Sequence, residues 1–289
     1  MHTALIWILA ALAVLAGLAL IWFALTAFLI APGRYPKPDP ARLLPAGSEP
    51  TPIAHRGLHD NDAGVPENSL AAFRAALDAG FGIEFDLNLT ADDQIVVFHD
   101  DTLERVCGDP RRVCDCTYEE LSRLRLFDTD ERIPLFSELL ALVAGRQTMI
   151  VEFKTPPRLR LLCEKAYAML REYDGPYCIE AFHPNTLRWF RKNAPGVVRG
   201  QLAGPAALYP KRWMGAIMGA SLTNFLTRPH FSAYLFIAAP RRVTQRLYRL
   251  FGGKTAAWTV RSAEDYRLCR RYFDAVIFEG RDTVPPPKS

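Results

Sequence analysis

Four short motifs place charged and hydrogen-bonding side chains at the ends of predicted strands: His55-Arg56-Gly57, Glu84-Phe85-Asp86, His99-Asp100 and Glu152-Phe153-Lys154. Carboxylates gathered at one point are costly unless a cation joins them, so Glu84, Asp86 and Glu152 predict a metal site. Oxygen ligands without cysteine or clustered histidine favour one hard divalent cation, Mg²⁺ or Ca²⁺, over zinc. The four motifs together indicate a centre built to cleave a phosphodiester.

The two histidines of these motifs suit proton transfer. Near neutral pH a pair of histidines can divide general acid and general base work, each worth about 10²–10⁴ in rate. His55 and His99 are predicted to do so, while Arg56 and Lys154 meet the phosphate oxygens. Singly, each motif has an ordinary explanation, such as a solvated carboxylate or an ion pair. Four of them at successive strand ends favour a functional site.

The elements that must position these side chains alternate between strand and helix. Short apolar runs predict nine strands, at 52–54, 82–87, 95–98, 148–153, 177–182, 197–202, 231–236, 256–260 and 274–278. Helical patterns lie between many of them, at 69–79, 158–173, 184–193, 241–251 and 263–272. This alternation predicts an α/β fold, a TIM (β/α)8 barrel, with active-site residues at the carboxyl ends of its strands.

The ninth strand is explained by a hairpin. Only seven residues, 88–94, separate the second run from the third, too few for a crossover helix. If Asp92 and Asp93 form a two-residue turn, Asp86 lies opposite His99, although Asp-Asp is a poor pair for such a turn and a one-residue slip would break this pairing. Residues two apart on a strand share a face, so Glu84 and Asp86, and likewise Glu152 and Lys154, are expected to point inward.

The N-terminal region predicts a membrane anchor. Residues 4–31 are 28 in a row without a charge, and about 20 such residues cross a bilayer. A cleaved signal peptide is the alternative, but its apolar stretch is usually about 7–15 residues behind a basic start. A linker with many prolines follows at 32–51, expected to be an extended spacer, and then one catalytic domain at 52–281. Arg34, Lys37 and Arg42 follow the helix, which predicts a single-pass protein with a cytoplasmic catalytic domain.

Composition narrows the partners. A formal net charge of +4 gives mild attraction to anionic lipid and is too small to indicate nucleic acid. The lipid bilayer and a phosphodiester substrate are therefore the predicted partners, and no protein partner is indicated. The six cysteines leave the redox compartment open, because scattered buried thiols and disulfides both fit an even count.

An ordered set of motifs resembles the glycerophosphodiester phosphodiesterase family: IAHRG, PENS (66–69), IEFDLNLT, VVFHDDTLER (96–105), VEFK and AWTV (257–260). The resemblance covers about 53–280. It implies a TIM barrel with a small insertion at about 101–131, a divalent cation on Glu84, Asp86 and Glu152, and His55 and His99 as acid and base. It also implies that Arg56 and Lys154 bind phosphate.

The resemblance also implies a substrate, a glycerophosphodiester or a lysophospholipid-like diester, and a reaction. A glycerol hydroxyl of the substrate attacks phosphorus, and water opens the cyclic product to give an alcohol and sn-glycerol 3-phosphate. Glu67 and Trp258 are further candidates for substrate binding, although Glu67 can serve as a helix-entry residue and Trp258 can belong to the core. Ala181, Arg261 and Glu279 depart from the usual family residues and put specificity at the glycerol end in question.

Two alternatives to this function stay open. One is a lipid diesterase of the lysophospholipase D or phospholipase C-like kind, and the other is a barrel that binds phosphorylated head groups without turnover. The segment 203–239 bears on both, because its apolar and aromatic residues are flanked by basic ones. It predicts either a helix lying on the membrane surface or a helix packed on the barrel.

Overall fold

Eight parallel strands form a closed barrel. The computed structural model describes residues 2–37, 39–43, 50–209, 211–238 and 243–285. The strands are β1 Thr51–His55, β2 Gly82–Leu89, β3 Ile95–Val97, β4 Met149–Phe153, β5 Tyr177–Ala181, β6 Arg199–Ala203, β7 Phe231–Leu235, β8 Lys254–Val260 and β9 Ala275–Phe278. They follow the order β1-β9-β8-β7-β6-β5-β4-β2, and pairing of β1 with β2 closes the ring. The predicted TIM barrel is confirmed.

Helix α1 precedes the barrel, and the other helices lie in the connections between its strands. The helices are α1 His2–Ile30, α2 Leu70–Asp78, α3 Glu104–Cys107, α4 Tyr118–Leu121, α5 Phe136–Val143, α6 Leu159–Leu170, α7 Pro184–Asn193, α8 Arg212–Gly219, α9 Asn224–Thr227, α10 Val243–Leu250 and α11 Ala263–Cys269. The five predicted barrel helices are present, except that 241 and 242 lie outside the described residues. The sequence pattern did not predict α5, whose eight residues FSELLALV form a short helix on α2.

Both faces of the barrel strands are buried. All eight residues of β2 are buried, as expected where helices cover one face and the barrel interior the other. Ile83, Phe85 and Leu87 pack outward into the large cluster shared with the helices, together with Val151 and Phe153 of β4. The alternate residues, among them Glu84 and Asp86, therefore point into the barrel, as the period of two predicts.

The hairpin forms, but its predicted register is wrong by one residue. β3 runs antiparallel to β2, with Leu87 opposite Val97 and Leu89 opposite Ile95. The loop has three residues instead of two, because Thr90 and Gln94 close it through a backbone hydrogen bond of 3.0 Å and Asp93 adopts a left-handed conformation. Asp86 consequently lies opposite Phe98, whose N–H donates to the Asp86 carbonyl, and His99 lies beyond the paired residues.

The predicted insertion after His99 is a small unit with its own core. It contains α3, α4 and short 3₁₀ turns at Val113–Asp115 and Leu126–Asp128. Leu103, Val106 and Leu121 pack in a cluster with Val96 and Phe98 of the hairpin. A capping box between Thr117 and Glu120 starts α4.

The described part of the predicted linker packs under the barrel instead of extending as a free spacer. Tyr35, Ala41 and Leu43 are buried in the cluster that fills the barrel interior, beside residues such as Ile53 and Ile150. The Thr148 hydroxyl donates to the Ala41 carbonyl at 2.9 Å. Burial of apolar side chains therefore overrides the extended preference of the prolines. Residues 38 and 44–49 of the linker lie outside the described residues.

Helix α1 projects from the barrel, and its contacts with the rest of the described chain lie at its C-terminal end. By length and composition Thr3–Ile30 could cross a membrane, and none of the 18-residue window is buried. The Arg228 guanidinium donates to the carbonyls of Phe28 and Ala31 at 2.9 and 3.1 Å, and the Asn224 amide donates to Ile30 at 3.2 Å. These contacts satisfy carbonyls that the end of a helix leaves unpaired, and the positive charge suits that end.

In the described residues of the segment 203–239, α8 packs on the barrel, which is one of the two predicted possibilities, and the membrane-surface helix stays a prediction. α8 packs closely on the chain after β6, since a Cβ on Gly215 would lie 2.5 Å from the Cα of Ala206. Its opposite face leaves Trp213 and Ile217 exposed. Residues 210 and 239 lie outside the described part.

Candidate active site

The four motifs meet in one cavity at the carboxyl end of the barrel strands. The cavity has a volume of about 200 Å³ and is lined by His55, Arg56, Glu84, His99, Glu152, Glu180, Phe182, Leu202, Leu235, Trp258, Thr259, Arg261 and Ile277. Six of the predicted site residues are in this lining, and Asp86, Lys154 and Glu67 contact them from behind. The structure therefore brings all nine predicted residues to one place.

His55 is the last residue of β1 and is fixed from one side. Its Nδ1 lies 2.6 Å from Glu279 Oε1, and its Nε2 lies 3.8 Å from Glu84 Oε2. Burial lowers the pKa of His55 to about 4 despite the neighbouring carboxylates. Burial opposes ionisation of Glu279, but hydrogen bonds from His55 and Arg261 outweigh it and lower the pKa of Glu279 to about 2. A neutral imidazole donating Nδ1–H to an ionised Glu279 leaves Nε2 free as an acceptor.

His99 reaches the cavity from the other side, after the hairpin. Its Nδ1 lies 2.5 Å from Asp100 Oδ1, and Arg105 Nε donates to the second oxygen of Asp100 at 2.7 Å. Burial opposes ionisation of Asp100, yet the hydrogen bonds from His99 and Arg105 hold the pKa of Asp100 below its usual range. About a third of the His99 side chain is exposed, so it faces the open part of the cavity.

Arg56 is held by carboxylates before any substrate binds. One guanidinium nitrogen lies 2.6 Å from Glu67 Oε1, and Nε lies 3.3 Å from Asp86 Oδ2. Glu67 also accepts two hydrogen bonds from Arg105, at 2.7 and 3.0 Å. Although burial opposes ionisation, these two arginines lower the pKa of Glu67 to about 2. Glu67 thus positions Arg56 and has little capacity left for a substrate.

Three buried carboxylates converge without enough partners. One oxygen each of Glu84, Glu152 and Glu180 lies within 4.8 Å of the others. Glu84 and Glu180 are 1 % exposed, and within the described part of the chain Glu84 Oε1 and Glu180 Oε2 have no hydrogen-bond partner. Burial, followed by the negative charge of neighbouring carboxylates, raises the pKa values of Glu84 and Glu180 well above their usual range. Orphaned oxygens of this kind suit a hard cation.

Asp86, the third predicted ligand, lies beside this group but is already engaged. Lys154 Nζ is 2.8 Å from Asp86 Oδ1, and the Asn68 amide donates to Oδ2 at 2.8 Å. Lys154 also lies 2.6 Å from Glu152, so it bridges the two carboxylates. Burial opposes ionisation of Asp86, yet the positive charges of Lys154, His99 and Arg56 lower the pKa of Asp86. The site thus holds two permanent cations, Arg56 and Lys154, and four carboxylates, those of Glu84, Asp86, Glu152 and Glu180. One divalent cation would balance the two remaining negative charges.

Trp258 and Phe182 form the apolar wall of the cavity. Their rings meet edge to face with centroids 5.6 Å apart. Trp258 is partly buried, lines the cavity and also packs against the cluster that fills the barrel interior, and its indole N–H has no hydrogen-bond partner among the described residues. An aromatic wall beside a charged floor gives the cavity two chemically distinct sides.

Sequence reasoning missed several of these residues. Glu180 gave a weak signal, a single carboxylate in the apolar strand YCIEA, although its position two before Phe182 points it inward. In the sequence Glu279 differs from the usual family residue but has no predicted role, and its contact with His55 spans 224 positions. Asp100 and Arg105 stood within a recognised motif but had no predicted role.

Comparisons with known proteins agree with this geometry. A family model described as "Glycerophosphoryl diester phosphodiesterase family" matches residues 55–283. A glycerophosphodiester phosphodiesterase of Caldanaerobacter subterraneus subsp. tengcongensis is 31% identical over 245 residues, which is 80% of this chain and 95% of the relative. One of Bacillus altitudinis is 33% identical over 157 residues, covering 50% of this chain and 63% of the relative.

Solved structures show the same fold. A glycerophosphodiester phosphodiesterase of Thermotoga maritima aligns with a TM-score of 0.63 at 24% identity, over 79% of this chain and 94% of its own. An Oleispira antarctica phosphodiesterase in complex with the product sn-glycerol-3-phosphate aligns with a TM-score of 0.66 at 22% identity, over 80% and 93% of the two chains.

Proposed function

Since the chain belongs to the glycerophosphoryl diester phosphodiesterase family, we propose that it hydrolyses glycerophosphodiesters to an alcohol and sn-glycerol 3-phosphate. The observation that carries this proposal is the cavity in which two histidines on opposite sides face a cluster of buried carboxylates. Such a pairing of proton-transfer groups with a charged floor supports in-line displacement at phosphorus. The Oleispira enzyme, which has the same fold, binds the corresponding product.

His55 is the general base of the first step. Its imidazole is neutral, and Glu279 fixes the ring so that Nε2 faces the cavity. Nε2 takes the proton of the substrate's glycerol hydroxyl as that oxygen attacks phosphorus. The bond from phosphorus to the alcohol breaks, and a cyclic phosphate forms.

His99 is the general acid of that step. Its Nδ1 contacts Asp100, which leaves Nε2 to donate a proton to the departing alcohol oxygen. In the second step the roles reverse, because the residue that lost its proton takes one from water as the cyclic phosphate opens to glycerol 3-phosphate. Arg56 and Lys154 lie next to the carboxylates at the floor and orient the phosphate oxygens.

One divalent cation, Mg²⁺ or Ca²⁺, completes this site. Glu84, Asp86 and Glu152 are the proposed ligands, and Glu180 joins them because its oxygen lies within reach of Glu84 and Glu152. Bound there, the cation supplies Lewis-acid polarisation of the phosphoryl group and compensates the excess negative charge. An all-carboxylate set of this size favours Ca²⁺, which accepts more protein oxygens than Mg²⁺ does.

Helix α1 anchors the enzyme as a single-pass membrane protein with the catalytic domain in the cytoplasm. The support is the uncharged length of α1 and the basic residues Arg34, Lys37 and Arg42 after it. Detection in membranes of a protein that retains residues 1–31 checks this. A mature protein that begins after residue 31 would show a cleaved leader instead.

The activity is tested with the purified full chain and glycerophosphocholine, with and without added Mg²⁺ or Ca²⁺. We expect release of glycerol 3-phosphate that stops with a chelator and returns with the cation. Cation-dependent binding without any product would contradict the proposal and favour a module that binds head groups.

A further inference from the structure

We propose that the face of the barrel beside the end of α1 binds the head groups of anionic phospholipids. We call it the basic face, and its cations are Arg34, Lys37, Arg246, Arg249, Lys254 and Arg271. The inference rests on the proposed anchoring by α1 and does not depend on the proposed hydrolysis. It assigns a lipid-binding site to the end of the barrel opposite the active-site cavity.

The basic face lies at the amino ends of the barrel strands and contains two cavities. The larger, of about 990 Å³, is lined by Ala27 and Ala31 at the end of α1, by the chain that follows to Lys37, and by Phe251 and Lys254 at the start of β8. The second, of about 460 Å³, is formed by α10, the start of β8 and the chain just before β9. Both volumes fall in the range of ligand pockets, about 300–1,000 Å³.

The larger cavity spans the level at which a membrane helix leaves the hydrocarbon. Ala31 is the last residue of the uncharged run 4–31, Arg34 is the first charged residue after it, and both line the cavity. Three residues of extended chain span at most about 10 Å, and the head groups occupy about 5–8 Å on each side of the hydrocarbon core. A lipid whose acyl chains lie along α1 therefore places its head group at this cavity.

The charge of the two cavities selects an anion. Their linings together carry six Lys and Arg residues and no Asp or Glu. Lys254 is partly balanced, since Asp274 Oδ1 lies 3.7 Å from its Nζ. Arg34 and Lys37 are exposed and form no ion pair with any residue that the structure describes. The phosphate of an anionic lipid would supply the opposite charge, which a zwitterionic head group supplies only together with a cation of its own.

Exposed apolar side chains stand among these cations. Leu250 is 76 % exposed and Tyr272 is 43 % exposed. Leu250 lies between Arg249 and Phe251, which line the two cavities. At the surface of a bilayer, apolar and aromatic groups enter the edge of the hydrocarbon while neighbouring cations meet the phosphates. A soluble anion would leave Leu250 and Tyr272 uncovered, so the combination favours a lipid in the bilayer.

The attachment of α1 holds the basic face next to the bilayer. Both α9 and α10 pack on α1, and Arg228 after α9 donates hydrogen bonds to the carbonyls of Phe28 and Ala31. Because α10 also carries Arg246 and Arg249, a helix of the basic face contacts the membrane helix directly. Once α1 is inserted, the cations of this face therefore lie at the level of the head groups.

The test compares lipids that differ in head-group charge. The full chain is held in micelles of an uncharged detergent and titrated with phosphatidylglycerol or with phosphatidylcholine of the same acyl chains, and bound lipid is counted by native mass spectrometry. We expect phosphatidylglycerol to bind at least about tenfold more tightly, with a preference that falls as the salt concentration rises.

Three outcomes would contradict this expectation. Equal affinities for the two lipids would overturn the inference and leave the proposed hydrolysis and the anchor intact. Inorganic phosphate that displaces phosphatidylglycerol at equal concentration would assign the basic face to a soluble anion and overturn the inference as well. A protein that cells keep outside their membranes would overturn the proposed anchor and, with it, the inference.

Two double variants separate the basic face from the charge of the whole chain. Arg34→Gln with Lys37→Gln removes two cations from the face, and Arg112→Gln with Arg125→Gln removes two exposed cations from the insertion after His99. We expect the first variant to bind phosphatidylglycerol more weakly by about fivefold per cation, or about 25-fold in all, and the second to keep the wild-type affinity. Equal affinities in the two variants would assign the preference to net charge and overturn the inference.

Thermal unfolding shows whether both variants fold. If the first has a lower Tm than the wild type, Arg249→Gln with Arg271→Gln makes the same charge change in the second cavity, where both side chains are exposed. We expect this pair to weaken phosphatidylglycerol binding by a similar factor. Unchanged affinity in a folded variant would overturn the inference.

Discussion

The two sides of the active-site rim are built on opposite principles. The side formed by β1, β2, β4 and the inward-facing Glu180 of β5 is crowded with buried charges, in which Lys154 bridges Asp86 and Glu152 and Arg56 contacts Glu67. The side formed by β6 to β8 and by the chain after β5 presents Phe182, Trp258 and the exposed apolar face of α8. We call these the charged side and the apolar side. The contrast suggests that chemistry is fixed by mutually dependent groups, while substrate choice is left to side chains that can vary independently.

The dependence on the charged side follows from burial. Asp86, Glu152 and Glu67 are each paired with a cation that also contacts another carboxylate, so none of these three can be removed alone without leaving a buried charge. Breaking one partner of a buried ion pair costs about 3–5 kcal/mol. The apolar side has no such penalty, because its exposed residues contribute little to the stability of the barrel.

The largest expected effect comes from the two histidines on the charged side. His55→Ala and His99→Ala are each expected to lower kcat for glycerophosphocholine by about 10²–10⁴-fold, because each removes a proton-transfer group. His230→Gln is the matched control, since His230 lies at the amino end of β7, outside the cavity lining, and contacts Arg199, so kcat should stay near the wild-type value. Loss of less than tenfold in both histidine variants would contradict the assignment of acid and base.

A second test asks whether titration outside the charged side also matters, using His230 just before β7. Burial, followed by the charge of Arg199, lowers the pKa of His230 from 6.5 to about 4, and its Nδ1 accepts the Arg199 N–H at 3.2 Å. The unfolded chain therefore binds more protons between these two values, so this contribution is present above pH 6.5 and is lost as the pH falls towards 4. The loss amounts to about 3 kcal/mol, or about 6–12 °C in Tm.

Thermal unfolding of the full chain near pH 7 and near pH 4 measures this effect. His230→Gln keeps an acceptor for Arg199 but does not titrate, so its Tm should fall less between the two pH values than that of the wild type. Equal falls in both proteins would show that the pH dependence arises from other groups, such as His55.

A third test asks whether the Glu180 carboxylate is a ligand of the proposed cation. Glu180→Gln is expected to weaken Ca²⁺ binding by about 10–100-fold, measured by titration calorimetry on the full chain. Without cation the same variant should have a higher Tm, because one of the buried like charges is removed. Glu164→Gln on the exposed surface of α6 is the control with the same charge change. Unchanged Ca²⁺ affinity would remove Glu180 from the ligand set.

The smallest expected effect lies where the two sides meet. Arg261 is 64 % exposed and donates to both Glu279 oxygens, to Oε2 at 2.6 Å and, at 3.1 Å, to the Oε1 that also contacts His55. Exposed pairs of this kind contribute about 0.2–1 kcal/mol, so Arg261→Ala should change kcat/KM for glycerophosphocholine by less than about fivefold. A loss of a hundredfold or more in kcat/KM would show that Arg261 contacts the substrate. Substrate contacts would then include a charged group beside the apolar side.

The two sides also differ in how far the sequence predicts them. Motifs on the charged side lie within short segments, so strand periodicity alone placed Glu84 and Asp86 inside the barrel. Hairpin register was missed because Asp93 adopts a left-handed conformation that lengthens the loop by one residue. His99 still reaches the cavity, since the chain leaves the strand pairing before it. Glu180 and Glu279 could not be assigned, because their partners come from strands distant in sequence.

For the apolar side, the sequence predicts two alternative environments of the segment 203–239, a membrane surface or the outside of the barrel. Its apolar residues fit a membrane surface or a packed helix equally well, and the composition of α8 contains nothing to decide between them. Close packing at Gly215 with exposure at Trp213 is a property of the assembled barrel. Contacts between α9 and the end of α1 likewise join residues about 200 positions apart, which no local pattern reveals.

The proline-rich segment after α1 has a consequence for engineering. Tyr35, Ala41 and Leu43 are buried at the amino end of the barrel, and Arg228 donates a hydrogen bond to the end of α1. A flexible linker can be lengthened to give a catalytic domain a wider range of motion. Residues added to this segment would instead displace Tyr35, Ala41 and Leu43 from the barrel interior. The packed segment therefore fixes the distance and orientation of the active-site cavity relative to α1.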